Sequence, residues 1–312
     1  MNIFVSGSLA YDRIMEFPGR FSDHILPEKI HILNVSLEVN GLQENFGGTA
    51  GNIAYSLGLL GERPTILATA GCDFERYRTW LEQHNVSTDG IDELADEFTA
   101  GAYITTDKDN NQFTGFNPGA MKHSTSFNLD GCRADESIAI VAPGNVQDML
   151  AYPKVYKERG IRYICDPGQQ IPVLPGEGLA GMIDGSEMLA SNDYELEMIC
   201  KSVNKTKAEL LEMTGAIITT LGEHGSLISQ RGQEDIKVSA VKADQVQDPT
   251  GAGDAFRAGL IKGLVTGKTL AQAAAMGSVC GSFAVEWHGT QAHAYDMEAF
   301  WARYKSAFGE LL

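Results

Sequence analysis

Short apolar runs alternate with amphipathic helical patterns along most of this chain, and few folds accommodate that order. The runs IFVSGS (3–8), TILATAG (65–71), IAIVAP (138–143), RYICDP (162–167), EMLASN (187–192) and AIITTLG (216–222) read as buried strands. Between them lie helical candidates: FERYRTWLEQH (74–84), VQDMLAYPKVYKERG (146–160) and DYELEMICKS (193–202). Strands apolar on both faces and separated by helices predict a mostly parallel, doubly wound, Rossmann-like α/β sheet. Several runs end in small or polar residues: Gly7-Ser8, Asp166-Pro167, Asn192 and Gly222. Open α/β sheets bind ligands at that carboxyl edge.

Two stretches break the alternation. Residues 13–46 contain VSLEVN and no clear helix, and 98–117 read as a hairpin, FTAGAYITT and QFTGF around DKDNN. Together they predict a small accessory sheet, either a lid over the active site or an edge extension of the main sheet. The last third is helical, with AFRAGLIKGLV (255–265), TLAQAAAMGSVCGSFAVEW (269–287) and DMEAFWARYKSAF (296–308). Repeats, low-complexity tracts and Pro/Gly/Ser linkers are absent from the sequence, so residues 1–312 are expected to form one α/β domain. The accessory segments fall at approximately 13–46 and 98–122.

A net charge of −17 repels nucleic-acid phosphates and anionic lipid, so neither is an expected partner. A nucleotide remains compatible, because a few backbone N–H groups can hold a phosphate inside an acidic protein. The five cysteines are scattered and form no CxxC, which predicts reduced thiols. The N-terminus lacks the pattern of a signal peptide and no run reaches 18 apolar residues, so a cytoplasmic protein is expected.

The segment Asp248-Pro-Thr-Gly251-Ala252-Gly253-Asp254-Ala-Phe256 carries the strongest chemical signal. Small residues at a helix start allow close backbone approach, and the first N–H groups of that helix face one spot favoured for negative charge. That is an anion hole suited to a transferring phosphoryl group, with Asp254 placed to accept a proton from an attacking hydroxyl. The same residues also suit a plain Gly-rich helix start. Gly263–Thr269 imitates a phosphate-binding loop but is one residue short and follows a helix. Gly267 there reads as a helix stop and Thr269 as the next N-cap. Gly47-Gly48-Thr-Ala-Gly-Asn52 precedes a helical stretch, so its backbone can touch a ligand and Asn52 can donate to a hydroxyl; a tight packing turn is the alternative. Asn192-Asp-Tyr-Glu195 fits a capping box, or a pair that orders magnesium and its waters.

In this order, GGTAGN (47–52), NDYE (192–195), TTLGEHGS (219–226) and DPTGAGDAF (248–256) resemble the ribokinase-like (PfkB) kinases, over nearly the whole chain. The resemblance implies a Rossmann-like domain with a β-sheet lid, ATP as donor and Mg2+ as cofactor. It implies Asp254 as the base with Gly251, Ala252 and Gly253 as the anion hole. It places Asn192 and Glu195 at magnesium and phosphate, with Glu195 reaching the metal through water, and Thr220 and Gly222 at the ATP-binding turn. Asp12 corresponds to the acidic residue that grips two sugar hydroxyls, and Gly47, Gly48 and Asn52 to the substrate side. K+ or another monovalent cation is a further candidate cofactor, and a monomer or homodimer is expected.

The first 60 residues are most similar to bacterial adenosine/nucleoside kinases: GSLAYDRIMEFPGRF, HILPEKIHILNVS and FGGTAGNIAYSLGLLG. Phe17, Phe46, Phe116 and Met121 in the lid segments are candidates to sandwich a purine, or else the lid's own small core, with Phe116 assigned to the substrate. Asn117 stands where a more base-reactive side chain such as His is expected. The leading reading is transfer of the ATP γ-phosphate to the 5′-hydroxyl of a nucleoside, with adenosine the expected acceptor. The alternatives are a sugar kinase of the ribokinase or fructokinase kind and a non-catalytic nucleotide-binding protein of the same fold.

Overall fold

The computed structural model describes residues 1–25, 31–32 and 34–310. Residues 26–30 and 33, part of the first expected lid segment, and 311–312 lie outside the described residues. In chain order the elements are β1 (Asn2–Ser6), β2 (Ala10–Glu16), β3 (Asn40–Gly47), α1 (Thr49–Leu59), β4 (Thr65–Gly71), α2 (Glu75–Gln83), β5 (Ile91–Leu94), β6 (Ala100–Thr106) and β7 (Gln112–Asn117). Then come β8 (Ser137–Val141), α3 (Val146–Arg159), β9 (Arg162–Cys165), α4 (Gly176–Ile183), β10 (Met188–Asn192), α5 (Asp193–Val203), α6 (Lys207–Leu210) and β11 (Ile217–Thr220). The chain closes with β12 (Ser226–Ser229), β13 (Ile236–Val238), α7 (Ala252–Val265), α8 (Leu270–Ala284) and α9 (Met297–Phe308).

The main sheet has nine strands in the order β13-β12-β11-β10-β9-β8-β1-β4-β5. Its strands run parallel from β11 to β5, and β12 and β13 add an antiparallel edge. Both faces are buried, which is why its strands read as near-continuous apolar runs. In β1, Ile3 and Val5 join the core beneath α1, α7 and α8, while Phe4 joins the core beneath α3, α4 and α5. The strand order reverses on either side of β1, and the crevice at such a reversal is where this architecture takes ligands.

The accessory segments form a separate four-stranded sheet, β3-β2-β6-β7, and not an edge extension of the main one. Its strands extend past the expected bounds, starting at Ala10 and ending at Gly47 in the first segment. VSLEVN reaches β3 only at its last residue. The sequence pattern misses β5, β12, β13, α4 and α6. All three strands hold four residues or fewer and, as IDEL, SLIS and IKV, lie in no longer apolar run of the kind that marks the equally short β9 and β11. Thr269 caps α8 in a capping box and Gly267 has φ +73°, so the phosphate-loop imitation is helix punctuation. Among the described residues no helix is long and apolar enough to cross a membrane.

Candidate active site

The two glycine-containing motifs meet at the carboxyl edge of the main sheet, under the smaller sheet. Gly48 caps α1 at φ +86°, and a Cβ there would stand 2.5 Å from the Ser8 carbonyl oxygen. Only glycine lets the start of α1 sit against the turn between β1 and β2. Gly47 is as closely packed on the other side, because a Cβ on it would lie 2.6 Å from Asp12 Oδ2. Asp12, on β2, is thereby pressed against the Gly47-Gly48 turn.

Gly251 caps α7 in the left-handed region, φ +79°. The Gly251, Gly253 and Asp254 N–H groups find no acceptor among the described residues, whereas the Ala252 N–H donates to the Pro249 carbonyl at 3.2 Å. The N–H groups open to an anion at this helix start are therefore those of Gly251, Gly253 and Asp254, whereas the Ala252 N–H is already engaged. Gly253 has ordinary helical backbone, and a side chain there would press on the Arg257 guanidinium, 2.9 Å from its Cβ position.

Asp254 lies in the first turn of α7. Asn52 on α1 donates from Nδ2 to Asp254 Oδ2 at 2.8 Å. The Asn52 amide, expected on the substrate side, is thus engaged by the half-buried Asp254 carboxylate through one of its two N–H groups. Burial pushes the Asp254 carboxyl up to about 7, against the pull of the Asn52 hydrogen bond and Arg257; Asp166 and Glu195 add to the rise. A carboxyl that titrates near neutrality and sits beside free helix-start N–H groups can take a proton from a hydroxyl while the backbone receives a phosphoryl group. Burial raises the Asp12 carboxyl as well.

Behind Asp254, Arg257 and Asp166 form a buried bidentate pair, Nε to Oδ2 at 2.6 Å and Nη2 to Oδ1 at 2.9 Å. Arg257 also donates to the Gly253 carbonyl at 3.2 Å, which ties the pair to the helix start. Burial works against the guanidinium charge, but Asp166 holds the Arg257 pKa above its ordinary value.

Asn192 ends β10 and lies beside Thr220, which ends β11. Gly222 follows in a tight turn at φ +57°. Asn192 and Glu195 close the expected capping box, with Glu195 Oε2 accepting the Asn192 N–H at 2.8 Å and Asn192 Oδ1 accepting the Glu195 N–H at 2.7 Å. The box leaves Glu195 Oε1 as an acceptor for water. Among the described residues no group of three His, Cys, Asp or Glu could hold a metal ion unaided. That suits magnesium, which takes few carboxylates and keeps waters and phosphate oxygens.

The register of the smaller sheet sorts the aromatic candidates. Asn45, Asp12, Ala102 and Phe116 are paired across its four strands and share one face, as do Gln43, Ile14, Ile104 and Thr114 one row further out. Phe116 is exposed on the face that carries Asp12. Phe46 points the other way and stacks on Tyr77 at 4.6 Å, and Phe17 is buried on Phe21. Those two belong to packing and not to a purine sandwich. Met121 lies beside Gly7, Thr69 and Asn145 in a small cavity near the end of β1. Asn117 accepts the Gly119 N–H at 3.1 Å, so its amide shapes the turn out of β7.

The sequence pattern gave no sign of the loop 289–291. Gly289 donates its N–H to Asp248 at 2.9 Å, the Thr290 hydroxyl donates to the Phe46 carbonyl at 2.7 Å, and Gln291 donates to Asn52 at 3.1 Å. The loop thus joins the α7 turn, the end of β3 in the smaller sheet and the Asn52 amide. Its residues are ordinary in type, and only long-range contact gives them meaning.

A carboxylate and free N–H groups at a helix start, under a small second sheet and beside the switch point of a parallel one, define an ATP-dependent phosphotransferase with an alcohol acceptor. The chain belongs to the pfkB family of carbohydrate kinases, whose model matches residues 18–296. It is 32% identical to a nucleoside kinase of Methanocaldococcus jannaschii over 85% of this chain and 87% of that protein. It is similar in structure to a nucleoside kinase of Burkholderia thailandensis in complex with inosine, with TM-score 0.87, 35% identity, and 99% and 100% of the two chains covered. The same kinase in complex with ADP-inosine matches with TM-score 0.84, 39% identity, and 99% and 96% coverage.

Proposed function

We propose that this kinase phosphorylates the ribose 5′-hydroxyl of a purine nucleoside, adenosine first, with Asp254 as general base. The observation that carries the substrate is the inner face of the smaller sheet. A carboxylate, Asp12, stands there in a setting of Ile14, Ala102, Ile104 and the exposed Phe116. A carboxylate can accept from two neighbouring hydroxyls, as on the 2′ and 3′ positions of ribose, and the apolar shelf beside it suits a base ring. A free sugar would leave that shelf wet. The inosine bound by the Burkholderia thailandensis kinase supports the reading.

Gly251, Gly253 and Asp254 offer the N–H groups for the transferring phosphoryl, and Thr220 and Gly222 form the nucleotide side. Magnesium, when bound, neutralises charge on the phosphates. Glu195 reaches it through water, with Asn192 alongside. Glu195→Gln is expected to keep the fold, because Gln serves a capping box about as well as Glu. The magnesium concentration needed for half-maximal rate should rise several-fold. An unchanged magnesium titration would leave Glu195 a cap and nothing more.

Initial rates with adenosine, inosine, 2′-deoxyadenosine, ribose and fructose test the substrate class. Adenosine or inosine should lead, with the deoxynucleoside poorer. Asp12→Ala removes hydrogen bonds to a charged group, each worth about 1.5–3 kcal/mol. KM for the nucleoside should therefore rise about 10- to 100-fold or more, with KM for ATP nearly unchanged. Ribose or fructose turning over faster than every nucleoside would replace this reading with a sugar kinase.

A further inference from the structure

A buried chain of amides leads from the surface of α2 to Asp254. The Trp80 indole N–H donates to Gln291 Oε1 at 3.1 Å. Gln291 Nε2 donates to Asn52 Oδ1 at 3.1 Å and to the Tyr77 hydroxyl, which in turn donates to the Gly47 carbonyl at 2.7 Å. Asn52 Nδ2 then donates to Asp254 Oδ2. Gln291, Asn52 and Tyr77 are all buried. Gly51 makes the approach possible, since a Cβ there would overlap the Tyr77 hydroxyl and come within 2.9 Å of Gln291 Nε2.

The direction of this chain is set at its far end. An indole N–H can only donate, so it requires the oxygen of Gln291 and turns that residue's NH2 toward Asn52. A donor facing Asn52 requires its oxygen in turn, which leaves its NH2 for Asp254. Reversing either amide would set donor against donor or acceptor against acceptor in a buried place.

We propose that Trp80 and Gln291 are positioning residues for phosphoryl transfer: through Asn52 they hold a hydrogen-bond donor on Asp254 Oδ2 and so keep its other oxygen turned to the acceptor hydroxyl. The proposal rests on the reading of Asp254 as base. The donor also favours the ionised carboxylate, so its loss should move the acid limb of activity to higher pH. The other charged or titratable groups around Asp254 are Arg257 on its own helix, Asp166 after β9 and Glu195 on α5. Asp12 on β2 and Asp254 both act on Tyr77 of α2. The variants below leave all of these in place.

Gln291→Met keeps a linear side chain of similar length and adds no charge. The midpoint of the acid limb in kcat/KM should rise by about 1 unit, costing about tenfold below neutrality and far less above pH about 8, with KM for ATP unchanged. Trp80→Phe keeps the stacking on Tyr55 and Phe46 but removes the N–H, and should give a smaller shift in the same direction. It decides the matter alone if Gln291→Met does not fold. A loss equal at every pH, with the midpoint unmoved in the folded variants, overturns the proposal and leaves these residues as packing. Asp254→Asn separates the two levels. If it is inactive while the midpoint stays fixed in the relay variants, only the relay fails; if it turns over within about threefold of the parent, the base assignment fails too.

Discussion

Asp254→Asn is expected to abolish turnover while making the protein more stable. General-base assistance is typically worth about 10²–10⁴-fold, so kcat should fall at least that far while ATP still binds. The stability change follows from the same carboxyl. Its ordinary value is 3.8 and burial raises it to about 7 in the folded protein. Between those values the native state keeps a proton that the unfolded chain gives up, so stability falls as pH rises through that window and levels off above it. The three-unit difference sets a ceiling of about 4 kcal/mol, and partial access of water to the cleft brings the expected cost to about 1–3 kcal/mol at pH 8. Asn removes that cost. Thermal melting of the ligand-free protein should show the variant melting above the parent at pH 8 and level with it near pH 4. A variant turning over within about threefold of the parent would exclude Asp254 as base, and equal melting at both pH values would exclude the buried charge.

The parts of this site that sequence alone makes legible are those where a residue type is forced. Gly48 and Gly251 have positive φ, so only glycine serves there at little cost, and such positions leave recognisable motifs. Asp254 is readable because it follows one of them at the start of an apolar helix. Arg257, Asp166, Tyr77, Trp80 and Gln291 are not readable in this way. The partners of Asp166 and Gln291 lie 91 and more than 200 positions away, and no local pattern requires Arg or Gln at those places. The face of the smaller sheet fails for another reason. Whether an aromatic faces the cleft or the core depends on register, and a one-residue change of register exchanges the faces. The register shifts between Ile14 and Glu16 on β2, so the face of Phe17 cannot be counted from Asp12, and the faces of Phe46 and Phe116 follow only from their pairing with Tyr11 and Ala102. Phe17 and Phe46 were thus as plausible as Phe116 in sequence, and only pairing across the strands separates them.

The Arg257–Asp166 pair gives the second large effect, and its two halves should act on Asp254 in opposite directions. Both side chains are buried, at 8% and 3% exposure, so neither charge has water to fall back on. Removing one partner of a buried ion pair costs about 3–5 kcal/mol, because the other is left uncompensated. Asp166→Ala and Arg257→Met should both melt well below the parent. Their effects on catalysis differ in sign. Arg257 favours the Asp254 carboxylate and Asp166 opposes it. Asp166→Ala leaves the guanidinium alone with Asp254, so the acid limb of kcat/KM should move to lower pH. Arg257→Met leaves Asp166 alone and should move it to higher pH, with a further loss of rate because the guanidinium no longer ties the Gly253 carbonyl at the helix start. Measured at a temperature where both variants are folded, shifts of the same sign would show that the pair affects Asp254 through general loosening of the site. Shifts of opposite sign would mean that the pair sets the proton affinity of Asp254 electrostatically, with its stability cost carried by the same two residues.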